Sequence, residues 1–175
     1  MTTADSDTEL VQLQQHVPFT MVENSIIQSL GDVGLVVVDY IQLMTGRHNA
    51  ESRQVEVSEI SRGLKILARE LECPVVALAQ LNRGLEQRAD KRPMLSDLRE
   101  SGSLEQDADM VILLSRPDLY DRDSERAGEA DFDVAKHRNG PTKTITVAFQ
   151  GHYSRFTDIS HDLGPGNRPS SEGVA

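Results

Sequence analysis

Two polar residues stand directly after strongly apolar segments of the sequence. Asp39 follows residues 35–38, and Gln80 follows residues 75–79. Such continuous aliphatic runs predict buried strands of a parallel sheet, whose ligands bind beyond the carboxyl ends of the strands. A carboxylate there suits Mg²⁺ beside nucleotide phosphates, and a neutral amide can hydrogen-bond a phosphate or an attacking water. Each residue alone also fits a capping or turn-forming role. The spacing by itself therefore does not decide between ligand binding and such a structural role.

Three charged or titratable residues lie beside a predicted tight turn. Lys136, His137 and Arg138 precede Asn139-Gly140, a dipeptide typical of hairpin turns. Strand alternation places Lys136 and Arg138 on one side and His137 on the other. Two cations on one face can bind a phosphate as an arginine finger does, although a solvated hairpin tip has the same pattern. His137 fits a packed or surface histidine better than a ligand.

A third candidate site precedes a predicted short helix that runs to Asp107. Arg99, Glu100 and Gly102 lie at the start of this segment. An arginine beside unpaired backbone N–H groups at a helix start is suited to binding phosphate. A capped helix with a charged surface fits the same residues equally well.

The elements that must position these residues alternate between strand and helix patterns. Apolar residues at i, i+3 and i+4 predict an amphipathic helix over about Ser52–Glu72, ending before Pro74. A second helix is predicted over Ser96–Asp107, and a weaker apolar pattern indicates a short helix within residues 22–30. The order of elements predicts an α/β fold with a largely parallel sheet and antiparallel C-terminal strands. The predicted strands span residues 35–40, 74–79, 110–114, 132–136 and 144–149. We expect the first three of them to be neighbours in the sheet and to be covered on both faces.

Composition and charge exclude several classes of protein. The chain has 175 residues, of which 38% are hydrophobic, and its only cysteine, Cys73, excludes an internal disulfide framework. No apolar run approaches the roughly 20 residues of a membrane span, and no signal peptide is visible. The net charge is −10, yet residues 41–99 and residues 134–175 each carry +2. A local basic surface still attracts phosphates, so the acidic total does not exclude nucleic acid.

Five segments, in this order and spacing, together resemble one known domain. They are LVVVDYIQLM (35–44), ESRQVEVS (51–58), VVALAQLNRG (75–84), SDLRESGSLEQDADMVILL (96–114) and AKHRNGPT (135–142). They resemble the C-terminal RecA-like domain of bacterial DnaB-type replicative DNA helicases over about residues 34–159. The resemblance implies a P-loop NTPase core that couples ATP hydrolysis at subunit interfaces to translocation on single-stranded DNA and duplex unwinding during replication.

The resemblance also implies roles at the matching positions. Asp39 resembles the Walker B aspartate that orders Mg²⁺, and Gln80 resembles the residue that senses the γ-phosphate of ATP. Lys136 and Arg138 are similar to the pair that reaches into the ATP site of a neighbouring subunit. The implied cofactors are ATP and Mg²⁺, and the implied partners are single-stranded DNA, intact helicase subunits in a hexameric ring, primase and a helicase loader. Arg99, Glu100 and Gly102 match the channel loop that contacts the single-strand backbone.

The sequence departs from the family pattern near its start. It contains no Gly-x-x-x-x-Gly-Lys-Ser/Thr phosphate loop and offers no candidate for the family's catalytic glutamate. We therefore interpret residues 1–33 as an acidic leader, 34–160 as the C-terminal part of the motor domain, and 161–175 as a flexible tail. The chain is then a truncated helicase motor, cytoplasmic and nucleoid-associated, that does not hydrolyse ATP alone. The alternatives are a non-catalytic module that docks on intact helicase subunits and, more distantly, a recombinase-like protein.

Overall fold

The computed structural model describes Phe19 and residues 33–46, 52–121 and 123–159, with the backbone only for residues 99–101. The predicted helix within residues 22–30 and the predicted tail lie outside the described residues. The chain divides into two compact units, Met1–Val111 and Ile112–Ala175. Each unit is described by itself.

The first unit is built on one strand–helix–strand repeat. Strand β1 (Val36–Val38) and strand β2 (Val75–Ala77) pair in parallel, with Val36 opposite Val75. Helix α1 (Arg53–Glu70) connects them, and its N-cap Ser52 accepts a hydrogen bond from the Val55 N–H. The helix, the two strands and their parallel pairing are confirmed as predicted.

The core of this unit lies between α1 and one face of β1 and β2. The apolar stripe of α1 is buried as its spacing predicts, and Leu67 is completely inaccessible. Phe19 also packs on α1, so close that a Cβ atom on Gly63 would lie 2.2 Å from its ring. Glycine at this helical position therefore leaves room for an aromatic ring. The buried core residues are Val36, Ile41, Met44, Val57, Ile60, Leu64, Leu67 and Cys73.

The prediction that these strands are covered on both faces is wrong for the described part of the chain. Val37 and Val76 are register partners, and their side chains are 54% and 50% exposed. Leu35 and Leu78 are exposed as well. Successive strand residues alternate between faces, so α1 covers one face while these four residues form an exposed apolar face.

The second unit is dominated by antiparallel strands. Strand β3 (Met110–Ser115) is followed by β4 (Glu129–His137), β5 (Lys143–Gln150) and β6 (Arg155–Thr157), in the spatial order β3-β4-β5-β6. The β4–β5 pair forms the predicted antiparallel hairpin. Strand β6 pairs antiparallel with β5 and was not predicted, because three residues are too few for a pattern.

The expected pairing of β3 beside β2 is not observed among the described residues. Strands β1 and β2 form a two-stranded sheet, whereas β3 joins the sheet of β4. A parallel neighbour needs a crossover, usually an apolar helix that covers the sheet. The segment between β2 and β3 contains only helix α2 (Gly102–Asp107) and short 3-10 helices, and no residue of α2 is buried. The fold is thus α/β with both parallel and antiparallel pairing.

Candidate functional site

Asp39 and Gln80 lie beyond the carboxyl ends of two paired parallel strands, at the same edge of the sheet, as their positions in the sequence predict. Backbone pairing continues beyond the strands, because the Leu78 N–H donates to the Val38 carbonyl at 2.8 Å and the Ile41 N–H donates to the Leu78 carbonyl at 3.0 Å. Both candidate side chains are exposed and make no hydrogen bond with any residue that the structure describes. The carboxyl end of the parallel pair therefore presents a carboxylate and an amide to solvent.

The segment after Asp39 is held against the start of α1 by two charged side chains. The Arg53 guanidinium donates to the Met44 carbonyl at 3.1 Å and to the Gln42 carbonyl at 2.8 Å. Glu56 accepts a hydrogen bond from the Gly46 N–H at 2.6 Å and pairs with Arg53. These bonds keep the pKa of the Glu56 carboxyl below its usual range, chiefly through the Gly46 N–H and then through Arg53.

Gln42 joins the two strand ends directly. Its side-chain Nε2 donates to the Gln80 carbonyl at 3.1 Å, and its Oε1 accepts from the Gln80 N–H at 3.2 Å. No role for Gln42, Arg53 or Glu56 was predicted from the sequence. The i, i+3 spacing of Arg53 and Glu56 away from the apolar stripe was the available signal, but their partners lie in another segment.

The candidate DNA residues occupy a continuous segment of the first unit. Arg99 and Glu100 lie in the 3-10 helix Leu95–Ser101, and Gly102 begins α2. The prediction of one helix over residues 96–107 is therefore correct in position, although its first half is 3-10.

The base of this segment is attached to the loop that follows β2. The Asn82 N–H donates to the Asp97 carbonyl at 3.0 Å, and Arg88 donates to the Asp97 carboxylate at 2.6 Å. The Met94 N–H donates to the same carboxylate at 2.8 Å. Asp97 is buried, so the segment leaves the core from a fixed point.

Lys136 and Arg138 lie in the second unit, at the end of β4 and in the turn that follows. Lys136 is half-buried and Arg138 is exposed. The His137 ring packs so closely on the turn that a Cβ atom on Gly140 would lie 2.4 Å from it. His137 thus packs against the turn, which is one of the two roles predicted for it, and the close approach accounts for glycine at position 140.

The residues at Asp39 fit a magnesium ion that is shared with a nucleotide. Mg²⁺ usually keeps several waters and takes one or two carboxylates together with phosphate oxygens. Asp39 supplies one such carboxylate, and the described residues contain no cluster of three or more metal-ligating side chains. None of the helices in the described part of the chain has the length and apolar character of a membrane span.

The described elements form an α/β domain in which Asp39 and Gln80 follow two paired parallel strands, and comparison with known proteins gives its family. The family of the DnaB-like helicase C terminal domain matches residues 10–158. The chain belongs to this family.

Several relatives and solved structures are similar to the chain. Replicative DNA helicase DnaB of Mycobacterium intracellulare is 69% identical over 134 residues, which are 77% of this chain and 23% of the relative. Replicative DNA helicase DnaB of Leifsonia xyli is 68% identical over 126 residues, 72% of this chain and 28% of the relative.

One solved structure is a DnaB-like replicative helicase described with its interactions with primase. It is 46% identical with a TM-score of 0.72, over 81% of this chain and 34% of that one. The chain spans about a quarter of the length of the curated relatives that it matches.

Proposed function

We propose that the chain is part of the motor domain of a replicative DNA helicase that couples ATP hydrolysis to movement along single-stranded DNA. The observation that carries this proposal is the parallel pairing of β1 and β2, which places Asp39 and Gln80 beyond the same end of the sheet, in a member of the DnaB-like family. Ligands of parallel α/β sheets bind at such ends.

In this role, Asp39 orders the Mg²⁺ ion and Gln80 contacts the γ-phosphate of ATP. The bound ion would neutralise charge that develops on the phosphates during transfer. The carboxylate of Asp39 and the amide of Gln80 are both exposed, which leaves them available to a ligand. The sequence has no phosphate loop, so these residues supply only one part of a nucleotide site.

In this proposal, Lys136 and Arg138 act at the ATP site of a neighbouring subunit. Cations at a hairpin tip can stabilise the transferring phosphoryl group of a nucleotide held by another chain. The positions at the end of β4 and in its turn support this use. The partners are then intact helicase subunits in a ring, with primase and a helicase loader as further partners.

Arg99, Glu100 and Gly102 contact the backbone of single-stranded DNA in this proposal. A phosphate contact is independent of base sequence and weakens with salt, because binding releases counterions. The hydrogen bonds to Asp97 hold the base of this segment in place, which supports its use as a binding surface. An acidic protein can bind DNA in this way, since a ring of subunits needs only a narrow basic lining.

The test is a salt titration of single-stranded DNA binding by the full chain. Arg99→Ala should weaken binding similarly for all base sequences and lower the slope of log affinity against log salt by about 1. Arg62→Ala is the matched control, because Arg62 is an exposed arginine of α1 and is not one of the candidate DNA residues. Equal salt slopes for Arg99→Ala and the parent would exclude Arg99 from the DNA site.

A second candidate function is a non-catalytic module that docks on intact helicase subunits. The exposed apolar face of β1 and β2 favours it, because contiguous exposed apolar surface is typical of interaction sites. Co-elution of the chain with a purified intact DnaB-type helicase, lost in Val37→Lys but kept in Glu59→Lys, would support this function. Absence of co-elution by the parent chain would contradict it.

A further inference from the structure

We propose that Gln42 is a positioning residue that holds the backbone of Gln80 against the segment that follows Asp39. The two residues are 38 positions apart, yet the Gln42 side chain satisfies both backbone polar groups of Gln80. Glutamine suits this task because its amide donates and accepts at once. The inference deepens the proposed function, since it rests on Gln80 acting at the nucleotide.

The fixed end of this arrangement is Gln42 itself. It lies in the 3-10 helix Ile41–Leu43, whose first residue is 2% exposed and anchored in the core. Its carbonyl accepts a hydrogen bond from Arg53 of α1 at 2.8 Å. Gln42 is therefore held from the core on one side and from α1 on the other, so its side chain projects from a defined point.

Gln80, by contrast, lies beyond the regular pairing of the sheet. Strand β2 ends at Ala77, and the last backbone hydrogen bonds between the two segments are those of the Leu78 N–H to the Val38 carbonyl and of the Ile41 N–H to the Leu78 carbonyl. Among the described residues, the hydrogen bonds of Gln80 are the two to Gln42. Without Gln42 the backbone of Gln80 would bond to water and would be free to reorient.

This arrangement links the two candidate groups of the site. Asp39 lies three residues before Gln42, and both belong to the segment that Arg53 and Glu56 attach to α1. The side chain of Gln42 therefore fixes the backbone of Gln80 relative to the segment that contains Asp39. Preorganisation of this kind matters because small displacements of a reacting or sensing group cost substantial rate.

The first experiment measures amide hydrogen exchange by NMR on the ¹⁵N-labelled full chain. Gln42→Met keeps the length of the side chain but removes its amide, and it should accelerate exchange of the Gln80 N–H by about three- to tenfold. Gln42→Glu keeps an oxygen acceptor and should preserve protection of the Gln80 N–H. The Leu78 and Ile41 amides, bonded to backbone carbonyls, should be unchanged in both variants and show that the fold persists. Equal Gln80 exchange in the parent and Gln42→Met would overturn the inference.

The second experiment uses Mn²⁺ as a paramagnetic substitute for Mg²⁺, because both ions prefer oxygen ligands. In the parent, Mn²⁺ should broaden the Asp39 amide and the Gln80 side-chain NH₂ signals, and Asp39→Asn should abolish both effects. In Gln42→Met, broadening should persist at Asp39 and fall at Gln80. Unchanged broadening at Gln80 would contradict the positioning role.

The two experiments separate the inference from the function on which it rests. If Mn²⁺ broadens neither signal in the parent, the metal role proposed for Asp39 is contradicted, and the exchange rates still decide the role of Gln42. If Mn²⁺ broadens neither signal in the parent but exchange at Gln80 rises only in Gln42→Met, the role of Gln42 is supported without the metal role of Asp39.

Discussion

Substitution of Glu56 measures how much the charged hydrogen bonds of this residue stabilise the attachment of the segment after Asp39 to α1. One carboxylate oxygen accepts from the Gly46 N–H at 2.6 Å, and the other pairs with Arg53, which in turn donates to the carbonyls of Met44 and Gln42. Glu56→Gln keeps the shape of the side chain and a neutral acceptor for Gly46, but removes the charge. The substitution therefore isolates the electrostatic part of the attachment.

The size of the effect follows from the two lost contributions. Replacing a charged by a neutral hydrogen bond at Gly46 costs about 1 kcal/mol, and a partly exposed ion pair adds about 0–1 kcal/mol. The Arg53 side chain is 43% exposed, so screening keeps its contribution small. The free energy of unfolding should fall by about 1–2 kcal/mol at pH 7.

The effect also has a pH dependence of defined sign. The pKa of Glu56 is lowered in the folded chain from its ordinary value of 4.5, chiefly by the Gly46 N–H. Its stabilisation is therefore complete above the unfolded pKa and is lost as the pH falls through the folded pKa. Glutamine does not titrate, so the difference between parent and Glu56→Gln should shrink below pH 4.5.

Urea denaturation of the full chain at about pH 7 and about pH 3 measures both quantities. The matched control is Glu59→Gln, because Glu59 is exposed on the same helix and makes no hydrogen bond with the described residues. It should change stability by less than about 0.5 kcal/mol. A Glu56→Gln effect that is equal at both pH values, or equal to that of Glu59→Gln, would refute the reasoning.

Three further outcomes are expected. The full chain should not release phosphate from ATP in the presence of single-stranded DNA, because no phosphate loop positions the nucleotide; hydrolysis that disappears in Asp39→Ala would contradict this. Leu67→Ala should lower the free energy of unfolding by about 2–5 kcal/mol, because Leu67 is buried, whereas Val37→Ala should lower it by less than about 1 kcal/mol, because Val37 is exposed. Equal losses in chemical denaturation would contradict the burial of only one face of the sheet. Asp131→Asn should cost about 1–3 kcal/mol in the same assay, because buried Asp131 accepts two hydrogen bonds from Arg126, and an unchanged unfolding midpoint would show that this pair adds nothing.

Local patterns in the sequence were sufficient for several elements. Helix α1 was predicted within two residues at each end, because its apolar stripe and the nearby Pro74 act within a few turns of chain. The β4–β5 hairpin followed from Asn139-Gly140, whose turn preference is equally local. Asp39 and Gln80 lie at the same edge of the sheet as predicted, since parallel pairing aligns the carboxyl ends of β1 and β2.

Other features depended on contacts between distant segments. Strand β3 pairs with β4 although its own composition resembles that of β1 and β2, because the choice of neighbour depends on the connection and not on the strand. The exposure of Val37 and Val76 could not be predicted from the sequence for a similar reason. A continuous run of valines indicates a strand, but only the surrounding elements decide which face is covered.

The sequence by itself therefore determined the family, the α/β class, the principal helix and the strand or helix ends at which the candidate residues lie. Those properties depend on short motifs and on periodicity along a single element. Only the tertiary structure decided that Gln42 contacts Gln80 across 38 residues and that Arg53 and Glu56 hold the segment after Asp39. A glutamine or an i, i+3 ion pair has the same sequence pattern on any surface, and its partner exists only once folding has brought distant backbone groups within hydrogen-bonding distance.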